Sequence, residues 1–224
     1  MIRAILFDLD NTLIDFYKMK RTCSEEAVRA MVDAGLKIRE KKGIEKLFKF
    51  YEKYGWENQK IFDKFIKEVQ GKIDYKILAS GVAAYRRIKY GYLVPYAHAR
   101  GTLLKLKQRG LKLGIVSDAP IKQAWLRLAE LNMVDFFDLV IGLEKQGKRK
   151  PHSMPFRKAL KKLGVPAEEI LFVGDSPERD IAGAKKLGMK TALAEYGQVT
   201  EPAKKIKADF VLRDIREIEK IVRK

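Results

Sequence analysis

Residues 3–13 read RAILFDLDNTL, an apolar run from Ala4 to Phe7 that breaks into Asp8, Leu9, Asp10, Asn11 and Thr12. A short apolar run ending in polar, turn-forming residues is the pattern of a buried strand feeding a loop. Five more runs of this kind follow, KLGIVSD (112–118), FDLVIG (137–142), EILFVGD (169–175), KTALA (190–194) and DFVL (209–212). Helical patterns alternate with them: ARGTLLKLKQRG, IKQAWLRLAELN, MPFRKALKKLG, RDIAGAKKLG and the C-terminal IREIEKIVRK. Strands alternating with helices of this length predict an α/β core, a Rossmann-like parallel sheet covered on both faces.

The segment after the first run is different. From about Phe16 to Tyr92 apolar residues recur three or four apart, as in SEEAVRAMVDAGLKI, IEKLFKFYEKY, NQKIFDKFIKEV and YKILASGVAAYRRIKY, and no proline occurs before Pro95. The expected organisation is an α/β core of residues 1–15 and 93–224 interrupted by an all-helical domain, 16–92. Ser24 followed by Glu25 and Glu26 predicts a helix N-cap, and Gly35, Gly43, Gly55 and Gly71 are expected as breaks between helices. The helical stretch holds 13 of the 22 aromatic residues, which suits a unit with its own apolar core.

Composition narrows the function classes. An apolar content of 46% excludes a largely disordered chain. No apolar stretch reaches the roughly 20 residues that span a bilayer. The N-terminal MIRAILFDLD carries acids where a signal peptide would be apolar, so a cytoplasmic protein is expected. The single cysteine, Cys23, has no partner for an internal disulfide and reads as a packing residue. The net charge of +18 admits nucleic-acid binding, but the basic residues are interspersed with acids, as in GLKIREKKGIEK. A solvated surface that attracts anionic substrates is the preferred reading, and nucleic acid and membrane are not expected partners.

In a sheet of this kind ligands bind at the carboxyl ends of the strands. Those ends carry Asp8 and Asp10 after the first strand, Ser117 and Asp118 after the second, and Asp175 and Ser176 after the fourth, with Asp180 shortly beyond. Lys150-Pro151 precedes the helix leading into the fourth strand. Singly, each has a bland reading: an aspartate capping a turn, a lysine on the surface. Together they bring several carboxylates to one edge, which is costly without a cation. Oxygen ligands without His or Cys suit Mg²⁺, and a lysine with a hydroxyl can hold phosphate oxygens.

Four ordered motifs, FDLDNTL (7–13), VSD (116–118), RKP (149–151) and GDSPERD (174–180), make the chain resemble the haloacid dehalogenase-like (HAD) hydrolase superfamily, over the core from Arg3 to about Tyr196. The helical insert resembles that superfamily's four-helix cap domain. The resemblance implies a Mg²⁺-dependent phosphatase acting on a small phosphate ester. Asp8 would be the nucleophile forming an aspartyl-phosphate, and Asp10 the acid/base. Ser117 and Lys150 would bind the phosphoryl group. Mg²⁺ would be held by Asp8, the Asp10 carbonyl and Asp175, with Asp180 in support, and Thr12 would help fix the loop. Oligomeric state is left open.

The resemblance also supplies rivals. The superfamily's 2-haloacid dehalogenases use the first aspartate on carbon without a metal, and generally lack the second; Asp10, Asp175 and Asp180 favour the phosphatase. A phosphomutase on the same scaffold is a further alternative, and the net charge of +18, taken at face value, gives a basic nucleic-acid-binding module as the non-enzyme one. Many relatives with this cap show a Pro-Gly pair where this chain has Pro95-Tyr96-Ala97-His98. His98, Arg21, Arg86 and Arg87 stay outside the expected site.

Overall fold

The computed structural model describes residues 1–199 and 206–222. By contacts the chain forms two compact units, one of Met1–Asp15 with Val94–Lys224 and one of Phe16–Leu93.

The first unit is a six-stranded, all-parallel sheet. Its strands are β1 (Ala4–Phe7), β2 (Lys112–Pro120), β3 (Leu139–Leu143), β4 (Ile170–Gly174), β5 (Lys190–Ala194) and β6 (Phe210–Leu212), in the spatial order β3-β2-β1-β4-β5-β6. All six lie at the apolar runs quoted above. Every residue of β1 and β4 is buried, as their unbroken apolar content requires of strands covered on both faces. On one face Leu6, Val116, Ile141 and Phe172 pack with Phe156, Ala159 and Leu163. Each large side chain removed from water there contributes about 1.5–3 kcal/mol.

Helices of the second unit are α1 (Phe16–Asp33), α2 (Glu40–Tyr54), α3 (Ile61–Gln70) and α4 (Tyr75–Tyr92). Those of the first are α5 (Ala99–Gln108), α6 (Ile121–Glu130), α7 (Ser153–Leu163), α8 (Ala182–Lys185) and α9 (Ile218–Ile221). The C-terminal helical pattern is realised as a 3₁₀ turn, Ile215–Glu217, followed by α9, and its last two residues, 223–224, lie outside the described ones. No helix among the described residues is long and apolar enough to cross a membrane.

Two local expectations fail in the helical unit, and both fail because packing overrides propensity. Ser24 is not an N-cap. It lies inside α1, buried, and its hydroxyl donates to the Tyr51 hydroxyl at 3.2 Å. The buried stripe Phe16, Met19, Cys23, Ala27 and Met31 carries the helix well upstream of it. Gly43 breaks nothing. It lies within α2, where a Cβ would stand 2.9 Å from Val28 Cγ1 and 3.2 Å from Ile38 Cγ2, so the residue is small because a neighbouring helix passes close. Gly55 and Gly71 do end helices, both at positive φ. α4 is capped at its start by Asp74, whose carboxylate accepts from Lys76 N (2.9 Å) and Ile77 N (3.2 Å).

Tyr51, Phe62 and Phe65 lie in this unit's own core with Phe50, Trp56 and Tyr85 packed against it, whereas Tyr54, Tyr75, Tyr90 and Tyr92 are exposed. Tyr51 stacks on Trp56 with centroids 5.3 Å apart, and Phe50 meets Phe65 edge-on at 6.0 Å. Cys23 is fully buried, and burial pushes its thiol from 9.0 up to about 11. A raised acid pKa favours the protonated folded state below about 9, and that contribution is lost as pH rises through about 11. At pH 8 the native protein is therefore expected to react with a disulfide reagent such as DTNB only at the rate of unfolding. Fast stoichiometric labelling without denaturant would contradict the packing role.

Candidate active site

The central position of β1 builds the site. Its two neighbours are β2 and β4, so the loops leaving all three strands meet at one sheet edge. Asp8 directly follows β1, is buried, and its N–H still donates to Val173 O at 2.8 Å, so the backbone under the carboxylate belongs to the sheet. The loop then turns tightly. Asn11 takes positive φ (59°), a conformation asparagine tolerates, and Asn11 N donates to Ile14 O at 2.8 Å. Thr12 is fully buried. Its carbonyl accepts from the Tyr196 hydroxyl at 2.8 Å, and its own hydroxyl makes a long 3.5 Å contact to Asp175 Oδ1. Gly197 closes against the same loop: a Cβ there would stand 1.6 Å from Asn11 O.

Lys150 is no surface lysine. Its side chain is 1% exposed and its Nζ lies 2.6 Å from Asp8 Oδ1 and 2.7 Å from Asp180 Oδ1. Burial works to lower its pKa, but the Asp180 and Asp8 carboxylates outweigh it and hold the ammonium above its ordinary range. Asp180 is held from below as well, its Oδ2 accepting from Ser176 N at 3.0 Å. One carboxylate oxygen from each of Asp8, Asp175 and Asp180 falls within 4.8 Å of the others. Burial, then repulsion from Asp180 and Asp8, pushes the Asp175 carboxyl well above the usual carboxylate range. Burial raises Asp180 too, against the opposing charge of Lys150.

The β2 side supplies the rest. The β2–β3 register shifts between Val116 and Pro120, lifting Ser117 and Asp118 out of the regular ladder. Ser117 is buried and its Oγ accepts from Ala119 N at 3.1 Å. Asp118 does not cap α6; its Oδ1 accepts from Lys150 N at 2.9 Å and its Oδ2 lies 3.5 Å from Arg179 Nη1, so it ties two strand ends together. Asp10 faces a residue that the sequence reading left out: Arg127 of α6, whose Nη1 is 2.6 Å from Asp10 Oδ2. Arg179 was also given no role, although it lies inside the GDSPERD motif. The carboxylates of Asp180 and Asp8 hold its guanidinium above its ordinary range despite burial. Arg127 did leave a signal, since it occupies the buried stripe of α6 with Ala124 and Leu128.

Two of the residues left outside the site have partners elsewhere. His98 is the positive-φ residue (67°) before α5, with Nε2 3.9 Å from Asp214 Oδ2. Arg21 pairs with Glu25 one helical turn on, at 2.9 Å.

Three converging carboxylates are a fit for a hard divalent cation, because burying them together raises the carboxyl pKa of Asp175 and Asp180 and a cation would relieve that repulsion. An aspartate pinned by a buried lysine, beside a second aspartate on the same loop, is the equipment of a hydrolase that transfers a charged group to a carboxylate. The family model for haloacid dehalogenase-like hydrolases matches residues 5–194, and the chain belongs to that family. It is 38% identical over 223 residues to the glyceraldehyde 3-phosphate phosphatase of Methanocaldococcus jannaschii, covering 100% of this chain and 98% of that one. It is 35% identical over 224 residues to the glyceraldehyde 3-phosphate phosphatase of Pyrococcus furiosus, covering 99% and 93%. The crystal structure of a HAD phosphatase from Thermococcus onnurineus superposes with a TM-score of 0.76 at 26% identity, covering 98% and 97%.

If the acidic cluster takes a cation, Mg²⁺ should raise the melting temperature, with about 2.7 kcal/mol of stabilisation at a hundredfold excess over Kd. Asp175→Asn should remove most of that shift while raising the melting temperature of the metal-free protein, since it deletes one of the crowded carboxylates. An unchanged Mg²⁺ response in the variant, read by differential scanning calorimetry, would reject Asp175 as a ligand.

Proposed function

We propose that the protein is a Mg²⁺-dependent phosphatase that hydrolyses a small phosphate monoester through an aspartyl-phosphate on Asp8. The observation that carries the reading is the buried Lys150, 2.6 Å from Asp8 and 2.7 Å from Asp180, in a cluster where the second aspartate of the loop, Asp10, is also present. A dehalogenase has no use for Asp10, because departing halide needs no proton.

In the first half-reaction an Asp8 carboxylate oxygen attacks phosphorus and the bond from phosphorus to the leaving oxygen breaks. Asp10 gives its proton to that oxygen, so an alcohol departs. In the second, water attacks the phosphorus of the aspartyl-phosphate. Asp10 takes the proton of the water, the bond to Asp8 breaks, and inorganic phosphate leaves. Lys150 balances charge on Asp8 and on the phosphoryl oxygens throughout, and the Ser117 hydroxyl is read as a donor to one of those oxygens. Mg²⁺, held by Asp8, Asp175 and the Asp10 carbonyl with Asp180 in support, would supply further charge neutralisation.

The named activity of the similar archaeal proteins supports a three-carbon phosphorylated metabolite such as glyceraldehyde 3-phosphate as substrate. We read the helical unit as the cap domain that sets substrate preference, which is the role its family resemblance implies.

Purified protein with Mg²⁺ should release phosphate from p-nitrophenyl phosphate and, faster at low concentration, from glyceraldehyde 3-phosphate. Asp8→Asn should lower the rate by at least about 10⁴-fold, as loss of an activated nucleophile does. Full activity in that variant, or halide release from 2-chloropropionate that survives EDTA, would sink the proposal.

A further inference from the structure

We infer that Arg127 is a positioning residue for the reaction, fixing the Asp10 carboxylate in the orientation from which it exchanges protons. The inference rests on the phosphatase reading above, in which Asp10 is the acid and base.

Arg127 and Asp10 are 117 residues apart, yet the guanidinium Nη1 lies 2.6 Å from Asp10 Oδ2, with the two side chains 5% and 21% exposed. A guanidinium buried to this degree is expensive unless a carboxylate meets it. Here the carboxylate that meets it is not a structural one, but the second aspartate of the site. The support behind Arg127 is rigid. Ala124 and Leu128 on the same face of α6 are fully buried, and α6 continues directly from β2, the strand that carries Ser117. The arrangement therefore ties the Asp10 carboxylate to the element that holds a phosphate-binding hydroxyl, while Asp8 and Asp10 share one loop. An aspartate on a turn has two freely rotating torsions, and a proton donor loses most of its effect when it is displaced by about an ångström. A guanidinium keeps its charge at every working pH and offers planar N–H donors in fixed directions, so it can hold one oxygen of the carboxylate and leave proton transfer to the other. Lysine at the same position would keep the charge and lose the fixed direction.

Leaving-group dependence tests this. Benzyl phosphate and p-nitrophenyl phosphate carry similar rings, but only the benzyl alkoxide needs a proton to depart, and kcat/KM covers the steps up to that departure. The ratio of the two kcat/KM values does not depend on how much of a preparation is folded. For Arg127→Met the ratio of benzyl to p-nitrophenyl should fall by about a hundredfold, within the usual range for losing a general acid. Arg127→Lys should recover part of that loss. In an Asp10→Asn background, Arg127→Met should change the ratio no further. If Asp10→Asn shifts the ratio and Arg127→Met does not, Arg127 is a structural ion-pair partner only and the inference fails. If Asp10→Asn itself leaves the ratio unchanged, the acid role of Asp10 fails, and the inference with it.

Discussion

Two cations, the Lys150 ammonium and the Arg179 guanidinium, stand against the mutual repulsion of the site. Asp8, Asp175 and Asp180 bring one oxygen each into a space 4.8 Å across, and in water such a group would scatter. Lys150 contacts two of the three, and its own backbone N–H is fixed by Asp118. The arrangement is thus a lattice of alternating charge, in which Asp118 and Arg179 continue the pattern outward. Loss of Lys150 would leave the carboxylates uncompensated in a poorly hydrated place, and such changes usually cost several kcal/mol. The same alternation would suit chemistry on a dianionic phosphoryl group, as the proposed phosphatase reaction requires.

The geometry depends on strand order more than on any loop. With β1 flanked by β2 and β4, residues separated by over a hundred positions share one edge without a long connection. Parallel pairing sets the depth of each: Phe7 stands opposite both Ile115 and Val173, so Asp8, Ser117 and Asp175 all emerge within two residues of one level. The bulge in β2 then adjusts Ser117 and Asp118.

Much of this was legible because burial leaves a strong imprint on strands. Six apolar runs sit where six strands form, and the polar residues that end them are those brought together at the edge. What the sequence hid depends on tertiary partners. Arg127 looks like any arginine until its place on the buried stripe of α6, between Ala124 and Leu128, is noticed, and nothing local names Asp10 as its partner. Ser24 carries a convincing capping signal that the apolar periodicity running back to Phe16 overrides. Gly43 shows the converse: a residue that usually ends helices serves inside one, because a side chain from another helix needs the room.

The bond from Asp15 N to Val94 O, with the antiparallel bridge of Ile14 to Pro95, joins the two chain ends at which the helical unit departs and returns. The sheet unit is therefore closed on itself at that point, and the 78 intervening residues, Phe16–Leu93, depart and return through one stapled doorway. Closure entropy grows only with the logarithm of length, so material entering through such a doorway can lengthen, shorten or be exchanged at small cost to the unit behind it. Selection can thus rework that inserted segment while the charge lattice at the strand ends stays as it is.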